Sequence, residues 1–321
     1  MYYTVRHVTR FVYDEPISES VMEARMQPRS DGLQRCVQFG LTTTPSSRVM
    51  VYQDHDGNIV HHFAIPARHS RLTVASEALV ECLPAPLIPY DLGPGSWERL
   101  GTMLEGGEFW EFLNPSPFAR TTPLLDEFAR EINITRGPDP LAMLRRLTTE
   151  IYDRFEYSPK STRVDSPIDE ALQARRGVCQ DFAHIMIALV RQLGVPCRYV
   201  SGYVFHQERE DRSVDGATHA WVEALLPDIG WVGFDPTNNR IAEDRHIRVA
   251  IGRDYADVPP TKGVFKGVSA VRSELAVAVR VGPAQTTMGD PLPFVPWMSR
   301  EADGTSVVTP SASQQQQQQQ Q

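Results

Sequence analysis

Three residues of this chain have the types and order of a nucleophilic acyl-transfer centre: Cys179, His219 and Asp235. Cys179 lies in Gly177-Val178-Cys179-Gln180-Asp181-Phe182-Ala183-His184. His219 lies in Thr218-His219-Ala220-Trp221-Val222-Glu223, and Asp235 ends Trp231-Val232-Gly233-Phe234-Asp235 before Pro236-Thr237-Asn238. A thiolate attacks a carbonyl carbon, an imidazole takes and returns the proton, and a carboxylate fixes the imidazole's tautomer and favours its charged form. Such chemistry needs no metal or organic cofactor. Each residue alone also has an ordinary role: a free cysteine is a common buried residue, and an Asp before Pro commonly starts a turn.

The elements that must position these groups follow from periodicity. Phe182, Ile185, Met186, Leu189 and Leu193 recur at helical spacing, and Gly194 and Pro196 stop the pattern, so a helix packed on a core starts near Cys179. The first turn of a helix presents unpaired N–H groups and the positive end of the macrodipole, a setting that favours a thiolate. Residues 198–205 and 218–226 read as strands, with a polar loop at 207–217 between them. Pro227, Asp228 and Gly230 make a turn into a third strand, 231–235. Two antiparallel neighbours joined by that turn bring Asp235 beside His219, and the period of two puts His219, Trp221 and Glu223 on one face. Among the competing histidines, His184 lies about 140° around the helix from Cys179. His206 and His246 sit at strand edges or in loops, with no carboxylate block after them.

The length predicts about two domains. Residues 1–85 read as a β-rich domain with strands at 2–13, 36–44, 48–53, 58–65 and 71–82. Asp54-His55-Asp56-Gly57-Asn58 reads as a hairpin turn rather than a calcium loop, being too short and lacking a distal Glu. His61, His62 and His69 suggest no metal site, because alternation sends the first two to opposite faces. Residues 86–120 have a linker's Pro and Gly content, and the apolar run from Phe109 to Phe118 can pack between domains. A core at 121–283 begins with helices at about 122–133, 139–155 and 167–174, the last capped by Ser166 with Pro167 first. Two further strands, near 245–251 and 270–281, are expected to complete its sheet. Helices first and antiparallel strands after give an α+β class. Residues 284–321, ending in a glutamine run, read as a disordered tail.

The net charge of −8 argues against nucleic acid and anionic membranes as partners, both of which select basic patches. No apolar run approaches the roughly 18 residues needed to span a bilayer, and residues 1–6 alternate like a strand rather than a signal peptide. The cytoplasm is therefore the expected compartment. Cys36, Cys82, Cys179 and Cys197 are too widely spaced to signal a zinc site or a disulfide framework.

The blocks Arg176–Phe182, Tyr199–Tyr203, His219–Glu223 and Gly230–Thr237 closely resemble the core of the transglutaminase-like superfamily, in the bacterial subgroup whose members carry a cysteine-protease label. Arg253–Pro260 also resembles that subgroup, and the N-terminal region resembles the β domain that precedes its core. The resemblance implies a papain-like/transglutaminase-like core, a helix bearing the cysteine packed on an antiparallel sheet. It implies Cys179 as nucleophile, His219 as base and acid, Asp235 as orienting carboxylate, and no cofactor. An oxyanion hole would use the Cys179 N–H and a second donor. By likeness to papain-like enzymes that donor is Gln173, though a solvated helix position explains Gln173 at least as well; the Tyr157 phenol is the other candidate. The expected reaction is amide or peptide hydrolysis through a thioester on a protein or peptide substrate. Protein-glutamine transamidation and a non-catalytic binding module on the same fold are the alternatives.

Overall fold

The apolar stripe beginning at Phe182 folds as a helix, Cys179–Gln192, buried along almost its whole length. The structure, a computed structural model, describes residues 1–159, 161–207, 211–213, 216–267 and 271–284. The expected tail beyond Ala284 and parts of the 207–217 loop lie outside the described residues. Three further helices, Pro123–Glu131, Pro140–Arg154 and Ile168–Ala174, surround the cysteine helix. Thr122 and Asp139 cap the first two with their side-chain oxygens, each followed by a proline whose fixed φ suits the first helical turn. The third starts one residue later than expected. Ser166 does not cap it, because its hydroxyl donates to Glu170 Oε2 at 2.6 Å.

This helical layer covers one face of a five-stranded antiparallel sheet in the order Arg240–Ile241, Gly230–Asp235, His219–Leu226, Cys197–Val204, His246–Gly252. Ala220, Val222, Ala224 and Leu226 bury against the helices together with Phe182, Met186 and Leu189. From the sheet, Tyr203, Ile247 and Val249 join Tyr3, Val5 and Val80 of the β-rich region in a second core. The molecule is thus α+β, with helices segregated to one face of the site-bearing sheet.

The β-rich region consists of two four-stranded antiparallel sheets. One runs Ser273–Pro283, Tyr2–Ile17, His69–Cys82, Gln34–Thr44, and the other Thr261–Lys266, Glu19–Ala24, Ile59–Ile65, Val49–Gln53. Phe11, Leu72 and Val74 of the first meet Met22, Phe63 and Ile65 of the second. Here the strand expected near 270–281 departs from its reading. It does not complete the site-bearing sheet but pairs with the first strand from Tyr3↔Pro283 to Tyr13↔Ser273. The last two described strands therefore return to the N-terminal sheets, covering edges that would otherwise expose unpaired N–H and C=O groups. Glu19–Ala24 and Thr261–Lys266 had no sequence reading. They are six residues each and interleave polar side chains, and pairing across more than 230 residues supplies their order. The expected linker holds a helix, Ser96–Leu104, that Gly95 opens at φ 77° rather than interrupting. No helix among the described residues is long and apolar enough to cross a membrane.

Candidate active site

Cys179 is the first residue of its helix, after an extended Val178, and is half-buried. Its N–H is therefore outside the helix's own hydrogen-bond ladder and free in principle to meet an oxyanion. Asp181, two residues on, caps this end: its Oδ2 accepts the Val178 N–H at 2.8 Å and the Thr162 hydroxyl at 2.5 Å. Burial pushes the Asp181 carboxyl up to about 6, against the pull of those two donors. Gly177 must lack a side chain here, since a Cβ would lie 2.8 Å from Asp181 Oδ2 and 3.1 Å from the Phe182 ring. Glu156–Tyr157 runs parallel to Arg176–Gly177, and Tyr157 packs against the same core as Cys179. Gln173 lies on the exposed side of the Ile168–Ala174 helix. Of the two second-donor candidates, Tyr157 is thus partly buried against the core and Gln173 exposed.

His219 and Asp235 come together across adjacent antiparallel strands. His219 Nε2 lies 2.8 Å from Asp235 Oδ2, and both side chains are almost completely buried. With Nε2 committed to the carboxylate, Nδ1 is the ring atom left to act as base, and the Cys179 side chain is near enough to favour the charged ring. Burial alone would lower the imidazole's pKa. The Asp235 charge and hydrogen bond, with Cys179, overcome it and raise the value to about 10. Asp235 is held well below the carboxylate range: burial opposes this, and the hydrogen bonds and charges of its imidazole neighbours prevail.

Two residues of this centre had no assigned role in the sequence. Asn238 donates its side-chain N–H to Asp235 Oδ2 at 2.8 Å, and the backbone N–H groups of Thr237 and Asn238 donate to Oδ1 at 3.0 and 3.3 Å. The residues after Asp235 thus form the turn expected of an Asp before Pro, and that turn wraps the carboxylate. His246, set aside above for want of a carboxylate, is buried with Nε2 at 3.2 Å from the same Asp235 Oδ2. The register explains it. His219 pairs with Gly202 and His246 with Val204, positions two apart on the Cys197–Val204 strand that lies between theirs. The Trp221 ring lies between, stacked on His219 at 6.1 Å and edge-on to His246 at 5.2 Å. Gly202 makes the room, because a Cβ there would stand 2.6 Å from the Trp221 ring and 2.3 Å from the Ile247 carbonyl oxygen. The sequence signal for Asn238 was its place in the Asp-Pro-Thr-Asn run. His246 had only its position at the head of an expected strand.

Ligand-type atoms of His219, Asp235 and His246 fall within 4.8 Å of one another, as do those of His55, Asp56 and Glu111. The first set is spent on internal hydrogen bonds. In the second, Glu111 of the interdomain segment approaches the Asp54–Asn58 turn, whose Asp54 N–H donates to the Asn58 carbonyl at 3.1 Å as a hairpin turn requires.

Other residues considered above take structural places. Tyr203 and Trp221 are core residues with at most 1% exposure. Trp231 carries the Arg198 guanidinium 4.1 Å above its ring and the edges of Phe109 and Phe112 beside it. His184 faces away from Cys179: it stacks on Phe118, and its Nε2 accepts the Tyr255 N–H at 3.2 Å. The Arg253–Pro260 segment anchors the interdomain run, Asp254 accepting the Phe118 N–H at 2.8 Å. Arg191 of the cysteine helix ties the same region together, donating to the carbonyls of Phe112, Asn114, Cys197 and Arg253.

Comparison with known proteins bears on the family and the fold. The model of the transglutaminase-like superfamily matches residues 126–236, and that of the bacterial transglutaminase-like N-terminal region matches residues 3–81. An uncharacterized protein of Mycobacterium leprae is 33% identical over 278 residues, 86% of this chain and 97% of its own. One of Mycobacterium tuberculosis is 35% identical over 88% of this chain and 92% of its own. A protein-glutamine gamma-glutamyltransferase of Pseudomonas aeruginosa is 29% identical over 136 residues, 40% of this chain and 20% of its own. The fold is shared with a candidate cysteine protease of Cytophaga hutchinsonii, with a TM-score of 0.67 and 21% identity over 89% of this chain and 95% of that one.

Proposed function

The chain belongs to the transglutaminase-like superfamily, and from that premise we propose that it is a cysteine-dependent acyl-transfer enzyme acting on amide or peptide carbonyls, hydrolysis being its main outcome. The observation that carries the reading is the buried His219–Asp235 pair, joined at 2.8 Å, with Cys179 at a helix start and near enough to the imidazole to favour its charged form. The Cys179 thiolate attacks the carbonyl carbon. The tetrahedral oxyanion meets the Cys179 N–H and the Tyr157 phenol. The C–N bond breaks as the His219 imidazolium gives its proton to the departing ammonia or amine, leaving a thioester on Cys179. Water, deprotonated by the same imidazole, then adds to the thioester and releases the acid and the free thiol. Asp235 holds the imidazole ring and stabilises its charged form throughout. The substrate on this reading is a protein or peptide, and the enzyme works without a cofactor.

The kinship with the Pseudomonas aeruginosa protein-glutamine gamma-glutamyltransferase favours a second reading, in which an amine rather than water resolves the thioester. One experiment separates them. A glutamine-containing peptide library is incubated with enzyme, with and without a primary amine, and followed by mass spectrometry. Hydrolysis yields cleaved peptides or glutamate in place of glutamine even with amine present, whereas transamidation yields the amine adduct. Turnover that survives Cys179→Ala would sink both.

A further inference from the structure

Asp235 is a carboxylate between two imidazoles, and the second has a defined proton position. His246 Nδ1 accepts the backbone N–H of Glu243 at 3.2 Å, so its ring proton sits on Nε2, the atom 3.2 Å from Asp235 Oδ2. The same oxygen takes the His219 and Asn238 donors, both at 2.8 Å. Resting on the reading of Cys179 and His219 as a nucleophile–base pair, we propose that His246 is a positioning residue of that pair: a neutral imidazole that donates to Asp235 Oδ2, shares its charge with His219, and thereby limits how tightly the carboxylate holds the His219 proton.

The physical basis is competition for one acceptor. A carboxylate oxygen that satisfies three donors offers each less negative charge than one that satisfies two. Four other donors hold Asp235 in place, so losing His246 changes the charge facing His219 more than it changes the carboxylate's position. The titratable and charged groups facing His246 are Asp235 and His219 from other strands of the same sheet and Arg245 beside it, whose charge is met by Asp211 at 3.0 Å. Trp221, packed against both imidazoles, keeps the exchange dry. An imidazolium that holds its proton too tightly is a poor acid towards the leaving amine, so His246 keeps His219 usable in both directions.

The test reads Cys179 alkylation by iodoacetamide across pH 4 to 10, site-resolved by mass spectrometry, in wild type, His246→Phe and His246→Gln. Phe fills the ring's place without an N–H, while Gln retains a donor for Asp235. The alkaline step, where His219 loses its proton, is expected to move up by about 0.5 pH unit or more in His246→Phe and to return near wild type in His246→Gln. An unchanged or downward step in a folded His246→Phe protein overturns the proposal. If Phe prevents folding, nitrogen NMR of histidine-labelled wild type decides: a neutral His246 protonated on Nε2 supports it, and an Nδ1–H or charged ring overturns it. An ordinary thiol profile in wild type would instead overturn the reading of Cys179, and the NMR result would still judge His246.

Discussion

Asp235 accepts five hydrogen bonds on its two oxygens, from His219, His246, Asn238 twice and Thr237, and donates none. An amide of the same shape cannot do this, because its NH2 group would face an N–H. Asp235→Asn is therefore expected to cost more than the lost charge. Peptide turnover should fall about 10³-fold or more, and stability by roughly 2–3 kcal/mol from the newly unpaired buried groups. Calorimetry on the inactive variant checks the second part; an unchanged melting temperature would mean that the carboxylate's surroundings are looser than described. At this scale the sequence was most legible where chemistry and local spacing coincide. Cys179, His219 and Asp235 stood out because thiol, imidazole and carboxylate each opened or closed a regular element. Asn238 was visible only as part of a turn. His246 was not legible, because its partner depends on which strand pairs with which, and no local pattern encodes that.

Elements of this fold are set by close approaches as much as by periodicity. The strand Cys197–Val204 carries Gly202 where the strands of His219 and His246 flank it. Gly202→Ala would drive a Cβ into the Ile247 carbonyl oxygen at 2.3 Å and the Trp221 ring at 2.6 Å, and neither is the free end of a flexible chain. We expect a loss of about 3 kcal/mol or more, with Cys179 alkylation slowed even in whatever protein folds. Urea denaturation checks the magnitude, and a loss below about 1 kcal/mol would contradict the tight packing. Strongly periodic helices were legible to within a few residues, since Pro and capping side chains mark their starts. Short strands such as Glu19–Ala24 were not, because their stability comes from partners distant in sequence. The Ser96–Leu104 helix was hidden because Gly93, Pro94 and Gly95 read as linker when they form the turn that begins it.

At the scale of the whole molecule, the chain closes on itself: Thr261–Lys266 and Ser273–Pro283 complete the two N-terminal sheets. A fragment of residues 100–290 removes every partner of those strands. It should be expressed insoluble or fail to unfold cooperatively, whereas a monomeric, cooperatively melting fragment would show the β region to be separable. That closure was invisible in the sequence, where the last strand read as an extra edge of the nearer sheet. Acid stability is a property of the same scale. Burial lowers His7 to about 4 and His184 to about 3, and it also lowers His246. Groups with depressed folded values contribute stability that is full above pH 6.5 and lost as pH falls, at up to about 1.4 kcal/mol per pH unit each. Asp181, raised to about 6, works in the opposite sense between its unfolded value and 6 and offsets one of them. His219, raised to about 10, contributes stability that is full below pH 6.5 and drains as pH rises through 10. The melting temperature should therefore peak near pH 6.5 and fall on both sides, and a flat profile from pH 4.5 to 6.5 would contradict the burial of the histidines. The most direct measurement of the active centre itself is the rate of iodoacetamide labelling between pH 5 and 9, read by intact mass in wild type, Cys179→Ala and His219→Ala. One thiol labelled fast at pH 5 to 6, absent in Cys179→Ala and slowed in His219→Ala, is the predicted result. Slow labelling that rises only near the pH of an ordinary thiol would contradict an activated Cys179–His219 pair.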